Sequence, residues 1–430
     1  MPDYKKKRVS RIRSAPKRLK KSRIQKKNSA PLTDDIKMRP ASRKRQTNTQ
    51  NGMRVVKGNK LERRRKFKAF AGAAALIAVV LIVLELALPV GIGETLGNAV
   101  AVMGSGDYPI ELNGTEVLDS VSKGAYYYIL TDNSVSAVSS GGKTIFLKPH
   151  GFENPILKTS STRALVFDQG GDTALIYNLS KLKTTFESKN KIITAAISRC
   201  GVFAVVTRSE SYASTVSVYD KNSALIYEWY SSSDLVNNVA ISPNGKKIAV
   251  TTLNSDGGKY KSNLYVLTFD SANPVFSESF EDTVIYGIDS TQRGGFAIVT
   301  KNKFEFIKWS KYERREYTND YSISMLRAGS GGLAAVFNRE NDRTDNRLAV
   351  FSTSGELKYE FSYSGVISDI EMSGGHIYCM SDNEVSILNN DGSVLRKADC
   401  GYGGVRMSVL GSYSVAVITD SGISKLDLKE

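Results

Sequence analysis

Cysteine, histidine and tryptophan are scarce in this chain of 430 residues, which has 3 Cys, 2 His and 2 Trp. Scattered cysteines in this number cannot form a disulfide framework, and together with two histidines they cannot supply a Cys/His metal cage. Only His150 and His376 are available for histidine-dependent catalysis. Phosphate-binding loops, nucleophile elbows and paired-carboxylate motifs are also missing. We therefore predict no catalytic residue, no metal site and no cofactor.

Charge divides the chain into two opposite parts. Residues 1–68 contain 26 Lys and Arg against 4 Asp and Glu, a net charge of +22. The remaining 362 residues contain 33 basic and 39 acidic side chains, a net charge of −6. The overall charge of +16 therefore describes neither part, and it is not evidence for a nucleic-acid-binding domain.

One apolar run separates the two parts. Residues 69–93 contain a single charged side chain, Glu85, and about 20 helical residues suffice to cross the hydrocarbon core of a bilayer. We predict a transmembrane helix over residues 67–93. Positive residues flank the cytoplasmic side of such helices, so we expect the N-terminus inside and the larger part outside. The basic cluster that faces the membrane surface consists of Arg63, Arg64, Arg65, Lys66 and Lys68.

Two questions about this run stay open. The small-residue pattern Ala99-Val100-Ala101 is typical of a signal-peptide cleavage site, although an N-terminal region of 68 residues is too long for an ordinary signal peptide. Glu85 is either a helix-end residue that reaches the headgroups or packs on another helix, or a functional carboxylate within the membrane.

Residues 1–66 alternate basic runs with Ser, Pro, Gln and Asn and have almost no apolar periodicity. Such a segment cannot bury enough apolar surface to offset its chain entropy, so we predict a disordered cytoplasmic tail. Anionic headgroups attract each basic residue next to a membrane helix by about 1 kcal/mol, which makes the membrane surface the expected contact. An acidic partner is an alternative. Nucleic acid is disfavoured, because Tyr4 is the only aromatic residue available for base stacking.

After a predicted linker over residues 94–107, short runs rich in Val, Ile, Tyr and Phe alternate with Gly, Asn or Asp, as in strands and hairpins. Eight apolar runs recur at intervals averaging about 41 residues, which is typical of four-stranded propeller blades. They begin at Ala125, Arg163, Val202, Lys247, Gly295, Gly332, His376 and Tyr413. Seven follow closely on a glycine, which suits a tight hairpin turn, and the second follows Ser160-Ser161-Thr162 instead.

The last repeat is incomplete, because the chain ends at Glu430 where a fourth strand should begin. At the other end, residues 108–112 form a candidate strand that belongs to no repeat. Pairing this strand with the last three would close the ring and remove its exposed edges. We therefore predict an all-β fold, an extracytoplasmic β-propeller over residues 108–430. Eight blades are favoured, and seven are the alternative if the second repeat is irregular.

The segment Val239–Val250, VAISPNGKKIAV, resembles the Ser-Pro-Asp-Gly-Lys hairpin of TolB-like and Trp-Asp-repeat-like propellers, with Asn244 in place of the usual Asp. The Trp-Asp dipeptide is absent, and Gly-His occurs once, at Gly375-His376. A basic tail, one helix and an outer propeller together are similar to a family of single-pass envelope proteins of Gram-positive bacteria whose function is unassigned. The resemblance implies a fold and a location at the cell membrane, and no activity.

Connections between the second and third strands open on one face of a propeller, and loops on one face are the usual contact surface. Three of these connections are enlarged, at residues 208–214, 254–262 and 338–347. The side chains in them that we expect to contact a ligand or partner are Tyr212, Lys259, Tyr260, Lys261, Arg339 and Arg343. For the cysteines, we expect buried thiols, with a Cys379–Cys400 disulfide as the alternative.

These observations favour a non-catalytic scaffold, a membrane-anchored propeller that binds a protein or another ligand of the cell envelope. A sensor that binds a ligand through its propeller and reports it through its tail is one alternative, and an envelope hydrolase or lyase that acts on glycan or peptide is the other. Its site would lie at the channel mouth, since propeller enzymes assemble sites from separate blades. Acidic residues that converge in the channel would favour the enzyme.

Overall fold

Eight four-stranded antiparallel sheets form the propeller in the computed structural model, which describes residues 60–291, 294–329 and 331–429. The first strands of neighbouring blades contact one another around the central channel, and the later strands of each blade lie progressively further out. The prediction of an all-β propeller with eight blades is confirmed.

The strands of blades 1 to 4 are β2–β5 (Val117–Ser122, Tyr126–Thr131, Ser134–Ser139, Thr144–Pro149), β6–β9 (Pro155–Thr159, Ala164–Asp168, Thr173–Tyr177, Leu182–Glu187), β10–β13 (Ile192–Ile197, Phe203–Thr207, Ser214–Tyr219, Leu225–Ser231) and β14–β17 (Leu235–Ile241, Lys247–Asp256, Lys259–Thr268, Phe276–Glu281). Those of blades 5 to 7 are β18–β21 (Gly287–Ser290, Gly295–Val299, Lys303–Lys308, Arg314–Thr318), β22–β25 (Ser322–Gly329, Gly332–Arg339, Asp342–Phe351, Leu357–Ser364) and β26–β29 (Ile367–Ser373, His376–Ser381, Glu384–Leu388, Val394–Asp399). Blade 8 consists of β30–β32 (Arg406–Gly411, Ser414–Ile418, Gly422–Asp427) and β1 (Ile110–Glu111).

Blade 8 closes the ring with one N-terminal and three C-terminal strands. Strand β1 pairs with β32, with Ile110 opposite Ile423 and Glu111 opposite Gly422. Asp420 extends the closure to the next blade, because its carboxylate accepts a hydrogen bond from the Val117 amide at 3.0 Å. The predicted closing strand is therefore confirmed, although it covers Ile110–Glu111 and not the whole of residues 108–112.

The apolar core lies between neighbouring blades. A second strand is covered by a blade on each side, and β3 is accordingly buried along its whole length. An outer strand has one face packed against the protein and one face in solvent, so the side chains of β9 are in part exposed and in part half-buried. This difference explains why the recurring apolar runs are continuous, whereas the runs after them alternate.

Glycine occupies most of the turns between first and second strands, as predicted. Gly124 and Gly245 are examples with left-handed φ angles of 80° and 67°, a region that other residues rarely adopt. The turns after β22 and β30 differ, because neither Gly331 nor Gly411 has a left-handed φ there. For these two glycines the left-handed conformation expected of a hairpin turn was wrong.

Two helices precede the propeller, α1 (Lys60–Ala87) and α2 (Ile92–Val102). Among the described residues, α1 alone is long and apolar enough to cross a membrane, and its span Arg65–Glu85 has a mean hydropathy of 2.5. The predicted basic tail over residues 1–66 lies almost wholly outside the described residues. Of the basic cluster, Arg65, Lys66 and Lys68 are exposed on α1. Most of α2 falls within the segment predicted as a linker, residues 94–107.

Glu85 links the two helices. Its carboxylate accepts a hydrogen bond at 2.8 Å from the amide of Ile92, the first residue of α2. First-turn amides have no partner within their own helix, and a carboxylate there also suits the helix dipole. Gly91 permits the approach, because its φ is +86° and a Cβ atom at this position would collide with the Glu85 carboxylate. The single charge of the apolar run is therefore a helix cap.

We predict that Gly422→Ala loosens the closure of the ring. A Cβ atom at position 422 would lie 2.6 Å from the carbonyl oxygen of Ile110, so the closing strand must shift. Overpacking of this kind costs about 1–3 kcal/mol. The measurement is the thermal unfolding midpoint of the full chain in detergent. Gly287→Ala is the matched control, since this strand glycine has open space around its Cβ position. Equal midpoints for the two variants would contradict the prediction.

Candidate functional site

Helix α2 is fixed to the propeller by a buried ion pair. The guanidinium of Arg163 donates two hydrogen bonds to Glu94, from Nε to Oε1 at 2.7 Å and from Nη2 to Oε2 at 2.8 Å. Their side chains are 4% and 6% exposed, and Lys183 lies 3.2 Å from the same carboxylate. Burial raises the pKa of Glu94, but hydrogen bonding and charge from Arg163 and Lys183 outweigh it and leave that pKa below its usual value.

Further polar contacts hold α2 along its length. The Asn98 side chain donates to the Thr162 carbonyl at 3.1 Å and accepts from the Leu179 amide at 3.1 Å. The Lys143 ammonium donates to the carbonyl oxygens of Ala101 and Met103, which lie at the C-terminal end of α2. A cation at this end satisfies free carbonyl groups and suits the helix dipole. Helix α2 is therefore capped at both ends.

The position of α2 distinguishes the two faces of the ring. Its partners Thr162 and Arg163 lie in a turn between first and second strands, and Lys143 and Leu179 lie in turns between third and fourth strands. We call the end with these turns the helix face. The opposite end carries the turns between second and third strands and the links between blades, and we call it the loop face.

All six predicted contact residues belong to turns or strand ends of the loop face. Four of them lie on adjacent blades, Tyr212 on blade 3 and Lys259, Tyr260 and Lys261 on blade 4. Arg339 and Arg343 lie on blade 6, beyond blade 5, so the six residues do not form one cluster around the ring. Arg339 also has internal contacts, an ion pair with Asp345 at 3.3 Å and the ring of Tyr321.

Three exposed tyrosines of the loop face were not predicted from the sequence, and one of them, Tyr402 in the link between blades 7 and 8, is 90% exposed and lies across the ring from the other two. Tyr230 packs against Tyr212, with ring centroids 4.8 Å apart. Tyr286 lies in the link between blades 4 and 5 and is 61% exposed. The sequence has 21 tyrosines, and no local signal separates the exposed ones from buried ones such as Tyr128. We call Tyr212, Tyr230, Tyr260 and Tyr286 the tyrosine patch.

Asp234 holds the hairpin that carries Tyr260. Strands β15 and β16 pair as far as Asp256 and Lys259, whereas the pairing with β14 ends at Leu253, so the tip extends beyond the sheet. The Asp234 carboxylate accepts hydrogen bonds at 2.9 Å from the side-chain amides of Asn254 and Asn263. These bonds join the base of the hairpin to the link between blades 3 and 4. The tip therefore projects from a fixed base.

Charged side chains line part of the channel. Asp369, on the first strand of blade 7, accepts from Arg327 of blade 6 at 3.2 Å and from the Met407 amide of blade 8 at 3.0 Å. Glu371, two residues further on, accepts from the Val409 amide at 3.2 Å. Amides on the inner edge of a first strand have no partner within their own blade, so the two carboxylates satisfy the edge of β30.

Burial shifts the ionisation of these channel groups. It raises the pKa of Glu371 to about 7, and the nearby charge of Asp369 adds to this effect. Burial also lowers the pKa of Lys123, although the charges of Asp289 and Glu371 oppose the shift. Acidic groups thus do converge in the channel. Both oxygens of Asp369 are already bonded, however, which favours a role in joining blades.

The remaining candidates for chemistry take part in the fold. His150 Nδ1 accepts from the Phe152 amide at 3.1 Å, and Nε2 then donates to the Thr131 carbonyl at 3.1 Å. All three cysteines are free, so no Cys379–Cys400 disulfide forms. Burial raises the pKa of the Cys379 thiol to about 12, which disfavours a reactive thiolate. In the part of the chain that the structure describes, no group of three or more His, Cys, Asp or Glu side chains could hold a metal ion.

Comparison with known proteins gives a family. The model of a family of unknown function (DUF5711) matches residues 110–428. Many solved structures are similar to the chain. One is the crystal structure of BamB from Moraxella catarrhalis, with 13% identity, a TM-score of 0.48, and coverage of 75% of this chain and 98% of that one. No curated protein matches the sequence.

We predict that Glu94→Gln releases α2 from the propeller. The change leaves the buried Arg163 guanidinium without its counter-ion, and breaking a buried pair costs about 3–5 kcal/mol. Amide hydrogen exchange over residues 92–102 should become faster, while the core strand β27 stays protected. Glu153→Gln, at an exposed position, is the control. Because the pKa of Glu94 is held below its usual value, the wild-type contact should itself weaken as the pH falls through that lowered pKa. Unchanged exchange in α2 would refute the predicted role of the pair.

We predict that Glu371→Gln removes a pH dependence of stability. Between about pH 5 and pH 7, folded Glu371 keeps a proton that the unfolded chain has released, so wild-type stability should fall as the pH rises through this window. A shift from 4.5 to about 7 corresponds to roughly 3 kcal/mol. The measurement is the unfolding midpoint in detergent across this pH range. The midpoints of wild type and Glu371→Gln should converge at low pH, and the variant should have the higher midpoint at high pH. The control is Glu210→Gln on an exposed loop, and parallel curves for Glu371→Gln and wild type would contradict the assignment.

Proposed function

The chain belongs to the family of unknown function DUF5711, and we propose that it is a membrane-anchored propeller whose loop face binds a protein partner outside the cytoplasm. In this proposal α1 crosses the cell membrane and the basic tail contacts anionic headgroups of the inner leaflet. The propeller acts as a rigid, non-catalytic scaffold. Its ligand is a protein of the cell envelope.

The tyrosine patch is the observation that carries this proposal. Tyr260 and Tyr286 are 56% and 61% exposed, although ring surface of this size is normally buried. Tyrosine is enriched at the centres of protein interfaces, because it provides a large contact area and a hydrogen-bonding group and loses little conformational entropy. The patch spans blades 3 and 4 and the link to blade 5, which suits a protein better than a small molecule.

The environment of the patch supports a polar, sequence-specific contact. Lys259 is exposed beside Tyr260, and Glu210 is exposed beside Tyr212. The Tyr230 hydroxyl donates to the Glu228 carboxylate at 3.0 Å, which helps to orient its ring. Aromatic centres with a charged rim are typical of non-obligate interfaces. The hydrogen bonds of Asp234 reduce the loss of motion on binding, because the hairpin is already ordered.

The direction of the faces supports an outward binding surface. Helix α2 follows α1 after four residues and packs on the helix face. If α1 spans the membrane, the helix face is therefore the one next to the bilayer. The loop face with the tyrosine patch then points away from the lipid, where an envelope protein can reach it.

The alternative function, hydrolysis or cleavage of glycan or peptide at the channel mouth, has one observation in its favour. Burial brings the pKa of Glu371 to about 7, a range that suits a general acid at neutral pH. Its Oε2 atom is bonded to the Val409 amide, however, and Asp369 has no free oxygen for the second role. The geometry of the channel therefore favours the scaffold.

We predict that photo-crosslinking from the tyrosine patch captures one defined protein. The experiment replaces Tyr260 or Tyr286 by p-benzoyl-phenylalanine in the full chain, in cells that make the protein naturally. Irradiation should give a discrete adduct whose partner is identified by mass spectrometry, because an interface residue keeps one neighbour in place.

Tyr413 is the matched control, since it is 50% exposed but lies in a turn of the helix face. Adducts of the same partner from Tyr413, or no adduct from either patch position, would count against the loop face as the binding surface. Adding Lys259→Ala and Tyr212→Ala together to the crosslinking variant should decrease the capture of this partner. Such a decrease distinguishes stable binding from chance collision.

A further inference from the structure

Helix α2 has an inverted amphipathic pattern. Its polar side chains point towards the propeller. Glu94 bonds to Arg163 and Asn98 bonds to Thr162, and both partners lie in the turn between the first and second strands of blade 2. Of its large apolar side chains, Val102 packs against the core between blades 1 and 2, whereas the more exposed ones point away from the propeller. Leu96, Val100 and Met103 are 59%, 62% and 67% exposed, and their spacing of four and three residues puts them on one side of the helix. We call these three residues the outer stripe.

We propose that the outer stripe lies in the boundary between headgroups and acyl chains of the bilayer that α1 crosses. This inference rests on the membrane anchoring proposed above, and goes beyond it by assigning a second lipid contact outside the transmembrane span. Interfacial helices bury an apolar side about 5–10 Å into this boundary. Leu, Val and Met supply such a side here.

Continuity with α1 identifies lipid as the occupant. Only residues 88–91 separate the last residue of α1 from the first residue of α2. The Glu85 carboxylate fixes this elbow by its bond to Ile92, and Val90 within it is buried. A helix that begins so close to the end of a membrane span starts at the level of the headgroups. The outer stripe therefore meets the membrane surface before any soluble partner.

The surroundings of α2 fit an anionic membrane surface. Lys181 is exposed two residues after Leu179, whose amide bonds to Asn98, and Arg199 is exposed next to the turn of Thr162. Basic residues beside an apolar stripe strengthen binding to anionic lipid. An apolar cavity of about 320 Å³ also opens beside the helix, lined by Ala99, Val102, Ala125 and Tyr126 among others. This opening has the polarity to accept part of an acyl chain.

The test uses added tryptophans in the full chain, reconstituted into vesicles of phosphatidylcholine and phosphatidylglycerol. Leu96→Trp and Met103→Trp report on the outer stripe, Leu81→Trp reports on the span, and Tyr260→Trp reports on the loop face. A fraction of the lipid carries bromine at carbons near the headgroup, which quenches nearby indole fluorescence. The signal of the unmodified chain, from Trp229 and Trp309, is subtracted.

If the proposal holds, brominated lipid reduces the added fluorescence at positions 96 and 103 by about a half, as expected for a probe within the boundary region. Position 81 is quenched most by bromine placed deep in the acyl chains, and position 260 is not quenched. Quenching at 81 without quenching at 96 and 103 overturns this inference and leaves the anchor intact. No quenching at 81 overturns the anchor and this inference together.

A second copy of the chain is the competing occupant of the outer stripe. In that case the probes at 96 and 103 would show blue-shifted emission without quenching by brominated lipid. Cysteines introduced singly at the same positions, in a chain whose Cys200, Cys379 and Cys400 are replaced by Ala, would then form disulfide-linked dimers at low protein-to-lipid ratios. Either result overturns the lipid contact. Dilution of the protein in excess lipid, with the quenching unchanged, supports it.

Discussion

A ring of blades is stable only if its first and last blades are joined, and here two residues of β1 make that joint. Strand β1 pairs with β32, and Gly422 leaves room for the Ile110 carbonyl to approach. Closure covers the outer edge of β32, which would otherwise be open to another strand, with the short strand β1. It also brings both ends of the propeller domain to blade 8. The segment before β1 must therefore leave the ring beside blades 8 and 1, and α2 needs only a short path to reach its site.

The turn that receives α2 is the one that departs from the repeat. Seven of the apolar runs follow a glycine, whereas the second follows Ser160-Ser161-Thr162. In the structure, Ser160 Oγ accepts hydrogen bonds from the amides of Thr162 and Arg163, so a side chain replaces the conformational freedom of glycine. The Thr162 carbonyl and the Arg163 guanidinium are thereby directed to α2. The irregular second repeat therefore also provides the binding site for α2.

The sequence predicted features that depend on local pattern. The apolar runs located the second strands, and the incomplete last repeat located the closing strand at residues 108–112. Helix α2 was predicted as a linker, because its polar residues Glu94 and Asn98 match partners on blade 2 that no local pattern shows. The bonds of Asp369 and Glu371 to β30 depend on how blades 7 and 8 are placed against each other, which no local pattern shows. Exposure of Tyr286 likewise depends on how the link between blades 4 and 5 runs.

A rigid connection between helix and propeller limits what the protein can bind. If residues 92–107 were flexible, the loop face could turn in any direction, and nearby partners at any height above the membrane could reach it. Caps at both ends of α2 and the buried pair of Glu94 and Arg163 remove that freedom. The ordering entropy is then lost on folding and is not lost again on binding. Under the proposed function, a partner that meets the tyrosine patch must therefore present its own surface at one height and in one orientation, which would select envelope proteins that are themselves held in place.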